Sequence, residues 1–228
     1  MAAEKKSRWM TALKVVLWLT ILSFAISILL SLFIEDDFES LDGNVAVIEI
    51  TGPIVAQDTG YLFEEVSSSD DIIKLIKKAG KNERIKAIVF EINSPGGSAV
   101  ASDEIAAEIK KVNKTTVAWI REVGASGAYW VASAADYIVA DRVSITGSIG
   151  VIASYLEFPG LLQKYNITYQ RLVSGKYKDI GSPFKEMTPE EREIFQKNLD
   201  DIKDYFVSEV AKSRNLNKKD VDKIANGL

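Results

Sequence analysis

Two glycine-rich turns carry the residues of this sequence that are best suited to chemistry. The SPGGS turn (residues 94–98) follows the apolar run Ile85–Asn93, and the GASGA turn (residues 124–128) follows the apolar run Thr116–Ile120. Glycine lets a peptide or an oxyanion approach backbone N–H groups closely, because no Cβ intervenes. Ser126 precedes an apolar helix, whose positive N-terminal end favours negative charge that develops nearby. Taken singly, the two turns also fit a tight turn and an ordinary N-cap serine, and the second is not a G-x-S-x-G elbow.

The composition limits the chemistry that Ser126 could take part in. The 228 residues include no His and no Cys, so a Ser-His-Asp triad, a disulfide, and a thiolate or imidazole zinc site are excluded. Acid–base work near neutral pH falls to Lys, Asp, Glu, Tyr or the amino terminus. No run of alternating Asp residues resembles a calcium loop, and the sequence predicts neither a metal nor a cofactor. A formal net charge of −4 makes nucleic acid a poor candidate partner.

The amino-terminal part of the chain predicts a transmembrane signal anchor. Residues 15–34 contain no formal charge, and at about 1.5 Å per residue a helix of this length matches the apolar thickness of a bilayer. Four basic residues precede this run and four acidic residues follow it within 35–39, which predicts a cytoplasmic tail (1–14) and an extracytoplasmic domain. Residues 35–43 are expected to form a linker. The alternative is a cleaved signal peptide, although no small-x-small cleavage site follows closely.

Residues 44–228 predict one α/β domain. Short apolar strands alternate with amphipathic helices, a pattern that favours a parallel sheet covered by helices on both faces. Strands are expected at Asn44–Thr51, at the two runs before the glycine turns, and at Tyr137–Ala140 and Thr168–Val173. A capping box at Thr188 predicts the start of a long helix.

Four motifs in this order resemble the signal peptide peptidase A family: NSPGG, GASGAYW, TGSIGV and SGKYKDIGSP, at residues 93–97, 124–130, 146–151 and 174–183. The resemblance covers essentially all of 44–227 and implies a Clp protease/crotonase-like fold. It implies that Ser126 is the nucleophile, that Lys178 is the general base, and that Ser148 hydrogen-bonds the lysine amine. It also implies an oxyanion hole formed by the backbone N–H groups of Gly97 and Gly127. Members of this family form oligomers in which the serine and the lysine can come from neighbouring copies, so the resemblance implies that this chain also assembles.

A lysine base agrees with the absence of histidine, because a neutral amine can take the serine proton. The amine must then have a lowered pKa, which requires burial away from carboxylates. Lys176 is the rival base, and a solvated surface lysine is the simplest interpretation of either residue. Asp179 is an unfavourable neighbour, since a carboxylate that points at the amine would raise the pKa of the lysine.

The function expected from these features is that of a membrane-anchored serine endopeptidase, which degrades released signal peptides and other short apolar peptides. An alternative is a catalytically inactive membrane-tethered scaffold that binds peptides at a strand edge. Acyl-CoA chemistry on the same fold is disfavoured, because the predicted topology places the domain outside the cytoplasm. Relatives continue into a further strand and helix after the Asn226-Gly227 pair, so the carboxyl end is expected to be truncated.

Overall fold

The computed structural model describes residues 2–33, 43–57 and 66–228, and it divides the chain into a unit of residues 1–43 and a unit of residues 44–228. The first unit contains helix α1 (Ala2–Phe33). Within the described ranges, no helix is both long and apolar enough to cross a membrane. The predicted anchor at 15–34 lies partly outside the description, which omits Ile34 and the side chains of 29–33. The predicted linker lies outside it up to residue 42.

The second unit alternates strands and helices along the chain. Its strands are β1 (Val45–Thr51), β2 (Ile54–Val55), β3 (Ser67–Ser68), β4 (Ala87–Ser94), β5 (Thr115–Ala125), β6 (Tyr137–Ala140) and β7 (Ile145–Gly147). Its helices are α2 (Ser69–Lys81), α3 (Ala99–Ile109), α4 (Gly127–Ser133), α5 (Pro159–Lys164), α6 (Pro189–Arg214) and α7 (Lys218–Ile224).

The main sheet is parallel throughout, in the order β1-β4-β5-β6, and β7 pairs with the carboxyl-terminal part of β5. Strands β2 and β3 form a separate parallel pair. The predicted α/β fold with a parallel sheet flanked by helices is therefore confirmed. Because parallel strands need crossover connections, the carboxyl ends of β4 and β5 meet at one edge of the sheet. The SPGGS turn and the GASGA turn both begin at that edge.

One face of this sheet forms the core with the layer of helices α2, α3 and α4. Alternate residues of the central strands point into it and are fully buried, including Ile48, Phe90 and Ile120. On the opposite face Trp119 is 41% exposed and Val139 is 54% exposed. The expectation that both faces are covered is thus wrong for the described residues, since the helices that cross between the central strands form a single layer.

Most strand predictions are confirmed to within a few residues, and β6 occupies the predicted range. The strand predicted at Thr168–Val173 is wrong, because these residues are irregular and exposed in the structure. The apolar pattern that predicted it includes Leu172, which is 94% exposed. A strand needs a neighbour to take its backbone hydrogen bonds, and no described strand pairs with this segment.

Helix α6 packs across α4 and completes a second apolar cluster. The Thr188 hydroxyl accepts a hydrogen bond from the Glu191 N–H at 3.2 Å, and the Glu191 carboxylate accepts one from the Thr188 N–H at 3.0 Å, which confirms the capping box. Further along the helix, the rings of Phe206 and Trp130 stack with centroids 4.6 Å apart. This contact fixes α6 beside the helix that follows the GASGA turn.

Candidate active site

Ser126 lies between the end of β5 and the start of α4 with a strained backbone. Its φ of 54° and ψ of −123° are rare for a residue with a side chain, and such a conformation costs on the order of 1–3 kcal/mol. Although Ser126 occupies the N-cap position of α4, its side chain makes no capping hydrogen bond. The interpretation of Ser126 as an ordinary capping serine is therefore wrong. The backbone N–H of Ser126 donates to the Gly147 carbonyl at 2.8 Å, which ties this turn to the end of β7.

The SPGGS turn packs directly against Ser126 with no room for a side chain. Gly96 has a φ of +94°, and a Cβ built on it would lie 2.6 Å from the Gly127 nitrogen and 3.0 Å from the Ser126 Cβ. A Cβ built on Gly97 would lie 2.1 Å from the Ile54 carbonyl oxygen. The turn thus needs glycine at both positions, as the sequence predicted for a close backbone approach.

The turn is held in place by hydrogen bonds on both sides of its glycines. The Ile54 N–H donates to the Gly96 carbonyl at 2.9 Å, and the Ser98 N–H donates to the Ile54 carbonyl at 2.8 Å. The buried Ser94 hydroxyl accepts a hydrogen bond from the Gly96 N–H at 3.1 Å. Two of these hydrogen bonds attach the turn to β2, and the third joins the turn to its own first residue. Together they hold the two glycines in place.

Two backbone N–H groups beside Ser126 stay unbonded within the described chain. Neither the Gly97 N–H nor the Gly127 N–H donates to another described residue. The Gly97 nitrogen lies 3.3 Å from the position that a Cβ on Gly127 would take, so the two glycines are immediate neighbours. Unbonded N–H groups beside a serine hydroxyl are suited to stabilise an oxyanion that forms on a carbonyl under attack.

Ser148 lies on the same side of the site, just after β7. Its φ of 50° is also positive, and its N–H donates to the Leu228 carbonyl at 2.7 Å. Its hydroxyl donates to the Gly227 carbonyl at 3.4 Å, and no described lysine amine reaches it. The hydrogen bond between Ser148 and the lysine that the resemblance implies stays a prediction.

A cleft of about 850 Å³ brings four of the five predicted site residues together: Gly97, Ser126, Gly127 and Ser148 line it. Trp130 and Phe206 also line it, and they make part of its wall apolar. This volume is within the range of pockets that hold a ligand, so the cleft has room for several residues of a peptide. Among the described residues, no group of three or more His, Asp or Glu side chains is placed to hold a metal ion.

Lys178 is the predicted site residue that does not line this cleft. It is exposed on the segment before α6, and its amine makes no hydrogen bond or ion pair with a described residue. The rival Lys176 has its amine 2.6 and 2.8 Å from the Glu190 carboxylate, and this contact together with Tyr177 raises the pKa of Lys176. A lysine held in its charged form is a poor base, so the geometry favours Lys178 over Lys176.

The neighbouring Asp179 is already bound to another cation. Its carboxylate accepts two hydrogen bonds from the Arg171 guanidinium, at 2.6 and 2.8 Å. This bidentate contact lowers the pKa of Asp179 from its usual value. The unfavourable effect expected of a carboxylate beside Lys178 is reduced, because Asp179 is directed toward Arg171.

Helix α6 supplies part of the cleft wall, which the sequence did not indicate. Leu199, Ile202 and Phe206 recur at helical spacing, and all three line the cleft. Lys203 on the same helix is the one lysine among the lining residues of the described chain. Its amine is paired with the Asp222 carboxylate at 3.3 Å. The spacing of apolar residues along a helix is the same whether they pack in a core or line a cleft.

Comparison with known proteins shows which family this chain resembles. A family model described as Peptidase family S49 matches residues 108–228, a little more than half of the chain. A putative protease of Methanocaldococcus jannaschii is 38% identical over 173 residues, which cover 75% of this chain and 56% of that protein. The putative signal peptide peptidase SppA of Enterococcus faecium is 34% identical over 199 residues, covering 85% of this chain and 58% of that protein. The chloroplastic serine protease SPPA of Arabidopsis thaliana is 30% identical over 196 residues, which cover 85% of this chain and 28% of that protein.

The parallel α/β fold and the strained serine beside unbonded N–H groups fit a serine-type peptidase with a Clp protease-like fold. The matches to the family model and to the named proteases identify the family: the chain belongs to peptidase family S49. The chain spans 56% and 58% of the length of two of these relatives and 28% of the third.

Proposed function

We propose that this chain is a membrane-anchored serine endopeptidase that uses Ser126 as nucleophile and Lys178 as general base. One observation carries the proposal: the Ser126 hydroxyl, free of any capping bond, lies on a strained backbone beside the unbonded N–H groups of Gly97 and Gly127. Strain of this kind persists where the surrounding structure holds it, and it clusters at active sites.

The reaction needs only groups that the chain itself contains. A neutral lysine amine takes the proton from the Ser126 hydroxyl while the oxygen attacks the peptide carbonyl carbon. The N–H groups of Gly97 and Gly127 stabilise the negative oxygen of the tetrahedral intermediate. Its collapse breaks the C–N bond, and the protonated lysine gives its proton to the leaving amine. Water then hydrolyses the acyl-enzyme by the same proton transfers and restores Ser126.

The base would come from a neighbouring copy of the chain. Lys178 is exposed and does not line the cleft that holds Ser126, so a single copy contains the serine without a suitable base. Large apolar side chains are exposed both at the cleft, with Ile152 at 89%, and near Lys178, with Leu172 at 94%, and burial of such side chains drives association. We therefore propose a homo-oligomer whose active sites combine Ser126 of one copy with Lys178 of the next.

The proposed substrates are released signal peptides and other short apolar peptides. Trp130, Ile149 and Phe206 give the cleft apolar lining that suits such side chains. The uncharged run 15–34 supports an anchor that holds the domain near the membrane, with the amino terminus in the cytoplasm and the peptidase domain outside it. The relative from Enterococcus faecium carries the name of a putative signal peptide peptidase.

A fluorescent serine-directed phosphonate tests the proposal on the full chain in a mild detergent. We expect the wild type to label, and the Ser126→Ala and Lys178→Met variants to stay dark. Lys176→Met and Lys203→Met are matched controls that each remove one amine, and both should label. A mixture of Ser126→Ala and Lys178→Met chains that is dissociated and reassembled should regain labelling, because half of its mixed sites combine an intact serine with an intact lysine.

Three results would contradict parts of this proposal. If Lys176→Met is dark and Lys178→Met labels, the base is assigned to the wrong lysine although the peptidase survives. Failure of the mixed chains to regain labelling would mean that serine and lysine come from the same copy. If the assembled wild type never labels, the peptide-binding scaffold becomes the better account of the chain.

A further inference from the structure

Ser102 is a fully buried hydroxyl at the point where the two glycine turns meet. It lies in the first turn of α3, which begins directly after the SPGGS turn, and it is 0% exposed. Its hydroxyl donates to the Ser98 carbonyl at 2.9 Å. Ser102 is thereby bonded to the residue that follows Gly97.

The same hydroxyl also touches the GASGA turn. A Cβ built on Gly127 would lie 2.3 Å from the Ser102 Oγ and 3.3 Å from both the Ser102 Cβ and the Gly97 nitrogen. The Ser102 Oγ therefore occupies the space that any side chain at residue 127 would need. One buried atom contacts Gly127 and is hydrogen-bonded to the residue next to Gly97.

We propose that Ser102 is a positioning residue that sets the separation of the Gly97 and Gly127 N–H groups. The inference rests on the proposed function of these groups as the oxyanion hole. Preorganised donors work only at hydrogen-bond distance from the developing oxyanion, so a small change in their separation acts on the transition state. Ser102 touches neither the substrate nor the reacting atoms, and it acts through the two glycine turns.

The structure supplies a matched control for the loss of this hydroxyl. Ser133 in α4 is 1% exposed, and its hydroxyl donates to the Trp130 carbonyl at 2.7 Å, one helical turn earlier, as that of Ser102 does. Replacement of either serine by alanine removes one buried hydroxyl and one hydrogen bond to a backbone carbonyl. Their effects on stability should be similar.

The first experiment compares the Ser102→Ala and Ser133→Ala variants of the full chain. We expect similar decreases in the urea midpoint of unfolding for the two variants. Phosphonate labelling should slow about tenfold in Ser102→Ala and less than twofold in Ser133→Ala, because only Ser102 spaces the two turns. With a peptide substrate, kcat should fall in Ser102→Ala while KM stays within about twofold, since ground-state binding does not use the oxyanion hole.

A size exchange tests the contact itself. Gly127→Ala alone should abolish labelling, because its Cβ meets the Ser102 Oγ at 2.3 Å. The double variant Gly127→Ala with Ser102→Ala removes that atom and leaves contacts of 3.3 Å, so it should label faster than Gly127→Ala alone. Such non-additivity is expected of residues in contact and not of distant, independent sites.

The outcomes separate this inference from the proposed function. If the wild type labels and Ser102→Ala labels at the same rate, Ser102 has a structural role only and the inference is wrong. The inference also fails if Ser102→Ala and Ser133→Ala slow labelling equally, or if the double variant is no faster than Gly127→Ala alone. If the wild type itself does not label, it is the proposed function that fails.

Discussion

Replacement of Gly96 by alanine is the most direct test of the packing between the SPGGS turn and Ser126. Gly96 has a φ of +94°, and the added Cβ would meet the Gly127 nitrogen at 2.6 Å, the Ala125 carbonyl oxygen at 2.8 Å and the Ser126 Cβ at 3.0 Å. All three atoms belong to the GASGA turn. Two of them are backbone atoms, which cannot swing aside as the end of a flexible side chain can.

The size of the effect follows from these distances. Ordinary contact begins near 3.4 Å, so the turns must separate by about 0.8 Å at the Gly127 nitrogen. A misplacement of about 1 Å can slow a reaction by about 10²-fold, and we therefore expect labelling of Gly96→Ala to slow by roughly 30- to 100-fold. The positive φ adds strain of about 1–3 kcal/mol to the folded state.

The matched control is Gly80→Ala near the end of α2. A Cβ on Gly80 has nothing within 4 Å, and alanine is favoured over glycine in a helix by up to about 1 kcal/mol. Gly80→Ala should therefore keep the wild-type labelling rate with equal or higher stability. The assay is the rate of phosphonate labelling in the full chain, measured beside thermal unfolding followed by circular dichroism.

One result would refute the reasoning about this contact. If Gly96→Ala is folded and labels within twofold of the wild type, the close approach of the two turns does not control the reactivity of Ser126. If Gly96→Ala is completely unfolded, its loss of labelling would show only that the contact matters for stability. The effect of Gly96→Ala on the reactivity of Ser126 is then measured as the labelling rate below the unfolding temperature of the variant.

Two further predictions concern stability away from the site. The Glu191 carboxylate accepts hydrogen bonds from Lys185 and from the Thr188 N–H, and these contacts lower the pKa of Glu191 below its usual 4.5. A carboxylate with a lowered folded pKa stabilises the fold above the unfolded pKa, and this contribution is lost as the pH falls through the folded pKa. The difference in unfolding free energy between wild type and Glu191→Gln should thus be constant above about pH 5.5 and shrink below pH 4.5 in urea titrations; a constant difference down to pH 3 would contradict this. The Lys114 amine donates to the Ala79 and Asn82 carbonyls at 2.7 and 2.6 Å, at the end of α2. Lys114→Met should lower the unfolding free energy by about 1 kcal/mol in urea, and an unchanged midpoint would show that water replaces the amine there.

The sequence predicted the central sheet and the turns of the site because their signals are local. Apolar runs that end at glycine predict β4 and β5, and the close approach of Gly97 to backbone atoms follows from the missing Cβ. The capping box at Thr188 is likewise contained in four consecutive residues. Features of this kind need no knowledge of what lies across the fold.

Other features depend on contacts between distant segments and could not be predicted. Ser126 is bonded to Gly147 and packed against Gly96, and contacts between such distant residues cannot be inferred from the composition of the GASGA turn. The helical spacing of the apolar residues predicted α6, but it did not indicate that Leu199 lines the cleft. The strand predicted near Leu172 is wrong, although its residues have the apolar pattern of a strand. None of the described strands pairs with this segment.

The absence of the strand predicted at Thr168–Val173 and the position of Lys178 outside the cleft lining have one physical explanation under the proposed function. The segment that contains Lys178 exposes four apolar or aromatic side chains, as expected of a surface that is buried only when copies assemble: Tyr169, Leu172, Val173 and Tyr177. A lysine amine acts as a base only when neutral, and burial against a neighbouring chain favours the neutral form. The same contact would therefore bury these apolar side chains, bring the amine to Ser126 and favour its basic form. An isolated copy would hold a strained serine without a base, so peptide hydrolysis would be confined to the assembled protein.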